Sequence, residues 1–417
     1  MEHVDVVIIG AGPSGACAGA MLAKAGKNVL CLEKQHFPRF SIGESLLPHC
    51  MQFLAESGLL PAVEQAAAEH GFQFKNGAAF LRRSQHTEFD FTQKFSDGPG
   101  TTFQVKRAAF DKLLADAAAA QGMTIRYGDT VEAISYPDEQ RVVLDVRDQQ
   151  GQLYQVSAAY LLDASGFGRV LPRLLDLEYP SDFPVRQANF CHVQDNISDP
   201  AFDRNKILIT VHSSKPDVWF WLIPFSDGTC SLGVVGRQER FDTTLSPAEN
   251  LWQNIEQTEG LATLLANAKQ INDARTLTGY SANVRTLYGR RFALLGNAGE
   301  FLDPVFSSGV TIALRSAVTA APLVLKELAG QAVDWENEYS KPLRKGIDTF
   351  RVFVEAWYDE RFQNVIFSQN RQDNVTRMIS AILAGYAWDE KNPYVADPKR
   401  RMNVLSELCA EADTTVS

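Results

Sequence analysis

Three groups of residues in this 417-residue chain are spaced for chemistry. Near the N-terminus, GAGPSG puts Gly10, Gly12 and Gly15 at the positions of a GxGxxG turn, with Pro13 and Ser14 between the last two. The first glycine permits a tight turn, the second lets backbone approach a pyrophosphate, and the third lets a helix pack closely on a strand. The free amides and positive end of that helix face phosphate charge. Glu33 follows Gly10 by twenty-three residues, where a carboxylate takes ribose hydroxyls. Further on, Ser307, Ser308 and Gly309 precede an apolar helical stretch. Amides and hydroxyls there can hold an anion, and the same residues can also be an ordinary N-cap. Trp219 and Trp221 alternate along a strand-like run, so both face one side, as core or as pocket wall.

These residues need particular elements beneath them. The β-branched run Val4 to Ile9 reads as a strand, residues 16–24 as a helix ending at Gly26, and residues 28–33 (NVLCLE) as a second buried strand: a βαβ unit of about thirty residues. An irregular loop, residues 35–48, feeds a helix over 49–59. Helical periodicity returns over 106–121, 251–266 and 310–328, and short strands fill 124–146. Between about 185 and 237, strand follows strand (ANFCHVQ, KILITVH, VWFWLIP, TCSLGVVG), which predicts an inserted antiparallel sheet. From Trp335 onward the pattern is helical and amphipathic.

Length corresponds to about three domain lengths at ~150 residues each. Hydrophobic residues make up 45% and charged residues 22%, the composition of a packed globular protein. Forty basic against fifty acidic residues leave -10 without single-sign blocks, which predicts no nucleic-acid partner. No run approaches the ~18 apolar residues of a membrane span, and the N-terminus lacks a signal pattern. Six scattered cysteines without a CxxC pair predict reduced thiols, no metal site and a cytoplasmic setting.

Further motifs carry a resemblance. DASG (Asp163, Gly166) and GNAGEFLDP (residues 296–304) place cofactor-type motifs at the start, middle and end of the chain, and there is no second GxGxxG. This layout resembles the flavoprotein monooxygenase superfamily, in which one FAD lies extended. PRFSIGESLLP (residues 38–48), WxWxIP at Trp219, Trp221, Ile223 and Pro224, and FxxPxxSxG at Phe301, Pro304, Ser307 and Gly309 are similar to one branch, the flavin-dependent halogenases. The resemblance covers most of residues 4 to about 328. It implies an α/β fold: a discontinuous, three-layer Rossmann-like FAD-binding domain (1–75, 101–175, 275–330), an inserted antiparallel-sheet substrate domain (76–100, 176–274) and a helical C-terminus (331–417). It also implies an oxidoreductase of secondary metabolism that uses reduced FAD, oxygen and chloride or bromide to form a hypohalous species. The product is a halogenated electron-rich ring.

Carried onto this sequence, the resemblance gives FAD to Gly10, Gly12, Pro13, Ser14, Gly15, Glu33, Lys34, Arg39, Ser41, Ile42, Gly43, Glu44, Ser45, Arg107, Val131, Asp163, Gly166, Asn297, Asp303, Pro304, Gly309 and Val310. It gives halide to Ser308 and Gly309, and catalysis to Lys75, whose amine would hold or carry the hypohalous acid between flavin and substrate. Trp219, Trp221 and Phe306 would line the substrate pocket.

Three departures matter. Phe306 stands where tryptophan-acting members have a glutamate, which points to an activated phenol- or pyrrole-like ring, free or tethered to an acyl carrier protein. Asn297 replaces the usual ribityl-binding aspartate, and Val218 replaces the glycine before WxWxIP. Electrons are expected from a separate flavin reductase or from NAD(P)H. The alternative reading keeps FAD but drops halogen: a monooxygenase or dehydrogenase that modifies a partner protein or pathway intermediate.

Overall fold

The computed structural model describes residues 1–414; the last three residues of the expected helical region lie outside them. Glu2–Ile9 is a strand, Pro13–Lys24 a helix and Val29–Glu33 a fully buried strand. The helix begins at Pro13, whose fixed φ and missing N–H suit a first turn, and closes where Gly26 takes φ +79°. Glu2–Ile9 lies between Val29–Glu33 and Leu153–Asp163, parallel to both, with Val7 opposite Leu30 and Leu161. Thr124–Tyr127 and Phe292–Leu294 extend the parallel sheet at its two sides. A hairpin, Thr130–Ser135 with Val142–Arg147, adds antiparallel strands beside Leu153–Ala158. Val6, Val7, Ile8, Leu161 and Leu162 are all fully buried, the unbroken apolar pattern of strands covered on both faces. Helix Pro13–Lys24 packs against both Arg107–Ala120 and Ser308–Leu328.

The second sheet runs Arg186–Gln194, Thr229–Arg237, Trp219–Pro224, Lys206–Val211, Gly77–Arg82, Gln85–Asp90. It corrects the antiparallel expectation at one place: Lys206–Val211 pairs parallel with Gly77–Arg82, because the two segments arrive by separate excursions of the chain and not by a hairpin. Arg275–Thr278, assigned from sequence to the FAD-binding unit, pairs with Gln187–Phe190 of this second sheet. Alternation sorts its faces. Trp219, Trp221 and Ile223 join the main core, while Phe220 and Leu222 face a smaller core with Leu251, Ile255 and Leu261. The single helix expected over 251–266 is two, Pro247–Glu256 and Glu259–Leu264, broken at Thr258, where the backbone leaves helical geometry.

The C-terminal helices pack into the main core. Phe350, Phe353 and Trp357 of Lys341–Tyr358 and Phe362 of Arg361–Phe367 are buried in the main core. Among the described residues, one helix, Ser308–Leu328, is long and apolar enough to cross a membrane, and 67% of its apolar window is buried against the rest of the fold, as in a core helix.

Candidate active site

The cradle forms as its glycines dictate. Gly10 has φ +94°, and a Cβ there would stand 2.7 Å from the Ala164 carbonyl oxygen. At Gly15 a Cβ would collide with the Gly10 carbonyl. Gly12 is different: the nearest atom to its Cβ position is Arg39 Nη2 at 3.6 Å, so its backbone stays open beneath a cation. Pro13 and Ser14 are buried in the first turn behind it. Glu33, at the end of its strand, accepts the Ala11 N–H at 2.9 Å and the Gln35 N–H at 2.8 Å. A carboxylate has about four acceptor positions, which leaves capacity for ribose hydroxyls. Lys34 beside it is exposed, and Val131 is buried at a bulge in the adjoining hairpin.

Loop 38–48 is tied down by one buried carboxylate. Asp111 takes Arg39 at 3.1 Å and both Nε and Nη2 of Arg107 at 2.7 and 2.9 Å, while Arg107 Nη1 donates to the Ile42 carbonyl. Arg107 also borders Gly43, whose Cβ position lies 3.1 Å from Nη1 and 4.0 Å from Val310 on the opposite side. Gly43 has φ +97°, so this narrow slot requires glycine. Ser41 and Ile42 stay partly exposed along it. Glu44 turns inward, 1% exposed, and accepts from His192 Nε2 at 2.9 Å.

Lys75 is fully buried. Its strand, Gln73–Lys75, pairs with Thr102–Gln104, and Gln104 also bridges to Ser45, so one short strand holds the lysine and the loop together. Lys75 Nζ donates to Ser45 Oγ at 2.7 Å and to the Leu46 carbonyl at 2.8 Å, and lies 5.6 Å from the Phe91 ring centre. Burial pushes its pKa down to about 7, opposed by the nearby Cys50. Cys50 Sγ is 3.2 Å from Thr311 Oγ1, which places the lysine one residue away from the first turn of helix Ser308–Leu328.

That helix begins sharply. Ser307 is left-handed at φ 55°, a strained position for a residue with a Cβ, and it aims Ser308 and Gly309 into the helix start. A Cβ on Gly309 would sit 3.2 Å from the Phe301 ring and 3.7 Å from Asn297 Oδ1. Asn297 Oδ1 is buried with no partner, an acceptor suited to a ribityl hydroxyl. Together with the open Gly12 backbone, it makes the groove fit an extended FAD. Pro304 opens the turn ahead of Ser307, and Gly166 has φ +59° with nothing near its Cβ position. Asp163 faces its own loop: its oxygens accept the Ser165 and Leu171 N–H groups at 2.9 and 2.7 Å. It shapes the DASG turn, and burial raises its pKa.

On the sheet side, Trp219 Nε1 donates to Tyr358 Oη at 2.8 Å, and Tyr358 Oη donates to Asp303 at 3.0 Å. Trp221 lies over Gly233 and donates to Ser231 at 3.1 Å. Val218 fits where a glycine was expected because Gly236 faces it on the next strand, 3.0 Å from a Val218 methyl at the Cβ position. Phe306 packs edge-on against Trp357 and Phe362, with ring centres 6.0 and 5.4 Å away. Sequence reasoning missed Arg186, His192, Tyr280, Trp357 and Tyr358. The first two had a signal, as polar residues on the same face of Arg186–Gln194 as Ala188 and Phe190. The others had none.

The fold and groove define an FAD-dependent oxidoreductase. The family model "FAD binding domain" matches residues 3–341, so the chain belongs to that family. Its relatives include flavin-dependent halogenases and a flavoprotein/dehydrogenase. The 1H-pyrrole-2-carbonyl-[peptidyl-carrier protein] brominase of Pseudoalteromonas luteoviolacea is 31% identical over 346 residues, 81% of this chain and 80% of the relative. A solved flavin-dependent brominase is 26% identical with TM-score 0.81, covering 99% of this chain and 100% of that one. A flavoprotein/dehydrogenase from Cytophaga hutchinsonii is 41% identical with TM-score 0.94, covering 99% of this chain and 100% of that one.

Proposed function

We propose that the protein halogenates an electron-rich, phenol- or pyrrole-like ring, free or bound to an acyl carrier protein, with chloride or bromide. Electrons come from a separate flavin reductase or from NAD(P)H. The reading places it in the cytoplasm, a setting consistent with the buried thiols of Cys17, Cys31, Cys50, Cys191 and Cys230.

One observation carries this reading: Lys75, an amine with its pKa near neutrality, is buried against loop 38–48 and beside Cys50, which in turn contacts Thr311 of the helix starting at Ser308. FAD, when bound and reduced, would supply the two electrons that activate oxygen, and oxygen is the oxidant. The chain's own residues do the rest. Amides of Ser308 and Gly309 hold the halide at a helix N-terminus. Lys75 can donate a hydrogen bond to a hypohalous oxygen in its charged form and act as a nucleophile in its neutral form, and near pH 7 both forms are populated. Phe306, Trp357 and Phe362 form an apolar wall that keeps water from the oxidant. Phe306 also brings no base, which suits a ring activated enough to lose its proton without one.

The test supplies a flavin reductase, bromide and a panel of phenols and pyrroles, free and carrier-bound. Brominated product that depends on bromide is expected. A second reading, halogen-free oxidation, is favoured by the 41% identity to the Cytophaga flavoprotein/dehydrogenase. Oxidised, halogen-free product formed equally without bromide would establish it and sink the first.

A further inference from the structure

We propose that Arg351 and Arg344, acting through the carboxylate of Glu300, are positioning residues for the flavin end of the cofactor. They hold the turn that presents Asn297, so the C-terminal helix Lys341–Tyr358 sets how tightly that end is gripped. The proposal needs FAD alone and stands whether or not halogen is used. It takes the phosphates to lie on the glycine cradle and the ribityl chain at Asn297, as the open Gly12 backbone and the unpaired Asn297 Oδ1 favour.

The segment between Leu295 and Ser307 does not hold its own shape. Its regular structure is two single turns, Gly296–Ala298 and Pro304–Phe306, and one isolated bridge of Phe301 to Ala282. With so few internal hydrogen bonds, its position is set by what packs on it. The Glu300 N–H donates to the Gly296 carbonyl at 3.1 Å and closes the turn around Asn297. The Glu300 residue is only 3% exposed, and a buried carboxylate needs charged partners.

Both partners come from one helix. Arg351 pairs with Glu300 Oε1, and Arg344 Nη1 lies 3.6 Å from Oε2. Their spacing of seven residues is two helical turns, so the two guanidinium groups leave the same face. Each is anchored in turn: Arg344 Nη2 donates to the Val284 carbonyl at 3.3 Å, and Arg351 lies 5.6 Å from the Phe183 ring centre. Asp348, 3.6 Å from Arg351 Nε, is exposed and competes weakly. The same helix meets the segment twice more, at Asp303 through Tyr358 and at Phe306 through Trp357. Arg169 Nη1 donates to the Asn297 carbonyl at 3.1 Å, so the turn is tied to two elements, and Glu300 is its link to the C-terminal helix.

Losing one guanidinium leaves a buried carboxylate poorly compensated. Turning toward water relieves it, and through the Glu300–Gly296 bond that movement displaces Asn297. The cradle depends on other contacts, Gly10 against Ala164 and Gly15 against Gly10. The two halves of FAD therefore respond differently.

Equilibrium dialysis of the full-length, FAD-loaded protein gives the FAD dissociation constant, and displacement of that FAD by ADP gives the ADP constant. Arg351→Ala should weaken FAD about ten-fold while the ADP constant stays at its wild-type value. Glu300→Gln, which keeps the shape and drops the charge, should weaken FAD in the same selective way, and it serves where Arg351→Ala fails to fold. Arg351→Lys restores the charge without the planar fork and should recover most of the loss. Unchanged FAD affinity in both Arg351→Ala and Glu300→Gln, equal weakening of FAD and ADP, or a loss as large in Arg351→Lys as in Arg351→Ala would overturn the proposal. ADP that fails to displace FAD from the wild-type protein would overturn it as well, because the phosphates would then not lie on the cradle.

Discussion

The groove's two ends are built differently. At the phosphate end, Gly10, Gly12 and Gly15 lie within six residues, and their roles are steric: two have no space for a side chain, and one must stay open. At the other end, proposed above to hold halide, Lys75, Cys50, Thr311, Asp303, Phe306, Trp219 and Tyr358 come from segments far apart in the chain, and their surroundings are set by burial and charge. The first end fails when backbone cannot approach a ligand. The second fails when one member of a desolvated set loses its partner or its protonation state.

This contrast can be broken at either end. The largest effect is expected from Gly15→Val at the steric end: its Cβ would press on the Gly10 carbonyl, costing about 3 kcal/mol as overpacking does, and the purified protein should carry no flavin absorbance. Flavin retained at wild-type level would remove the steric account. The next effect belongs to the electrostatic end. Lys75 has a folded pKa near 7, below its ordinary 10.5, so between these values the unfolded chain binds more protons and stability rises with pH. Against Lys75→Met as reference, wild-type stability should climb by about 1.4 kcal/mol across one pH unit inside that window, measured by urea unfolding. A flat difference would mean that the amine is solvated. The smallest effect is that of Trp219→Phe, which keeps the ring but loses the bond to Tyr358, and should cost about 1 kcal/mol with flavin binding unchanged. A lowered flavin content in that variant would show the two ends to be coupled.

The same contrast sets what was legible in the sequence. The cradle could be read because its constraints are local: a glycine with positive φ and a strand ending in Glu33 announce themselves within thirty residues. Helix Ser308–Leu328 and the four strands between Arg186 and Arg237 were equally readable from periodicity. Lys75 could be found only through family resemblance, since nothing in FKNGAAF says that Gln104 will pin it beside Ser45. Arg186, Tyr280 and Tyr358 were out of reach because their meaning comes from three separate elements meeting at Asp303. The helical tail could be read as helical but not as part of the core, because an amphipathic face does not say what it covers.

The central claim is that the buried Lys75 amine turns a flavin enzyme into a halogenating one. Its most direct test compares wild type and Lys75→Ala at matched FAD content, with the same reductase, bromide and phenol, and counts brominated product by mass spectrometry. The account predicts a fall on the order of 10³-fold, the scale of a lost acid–base group, with reduced flavin still consumed at the wild-type rate. Brominated product from Lys75→Ala at the wild-type rate would contradict it.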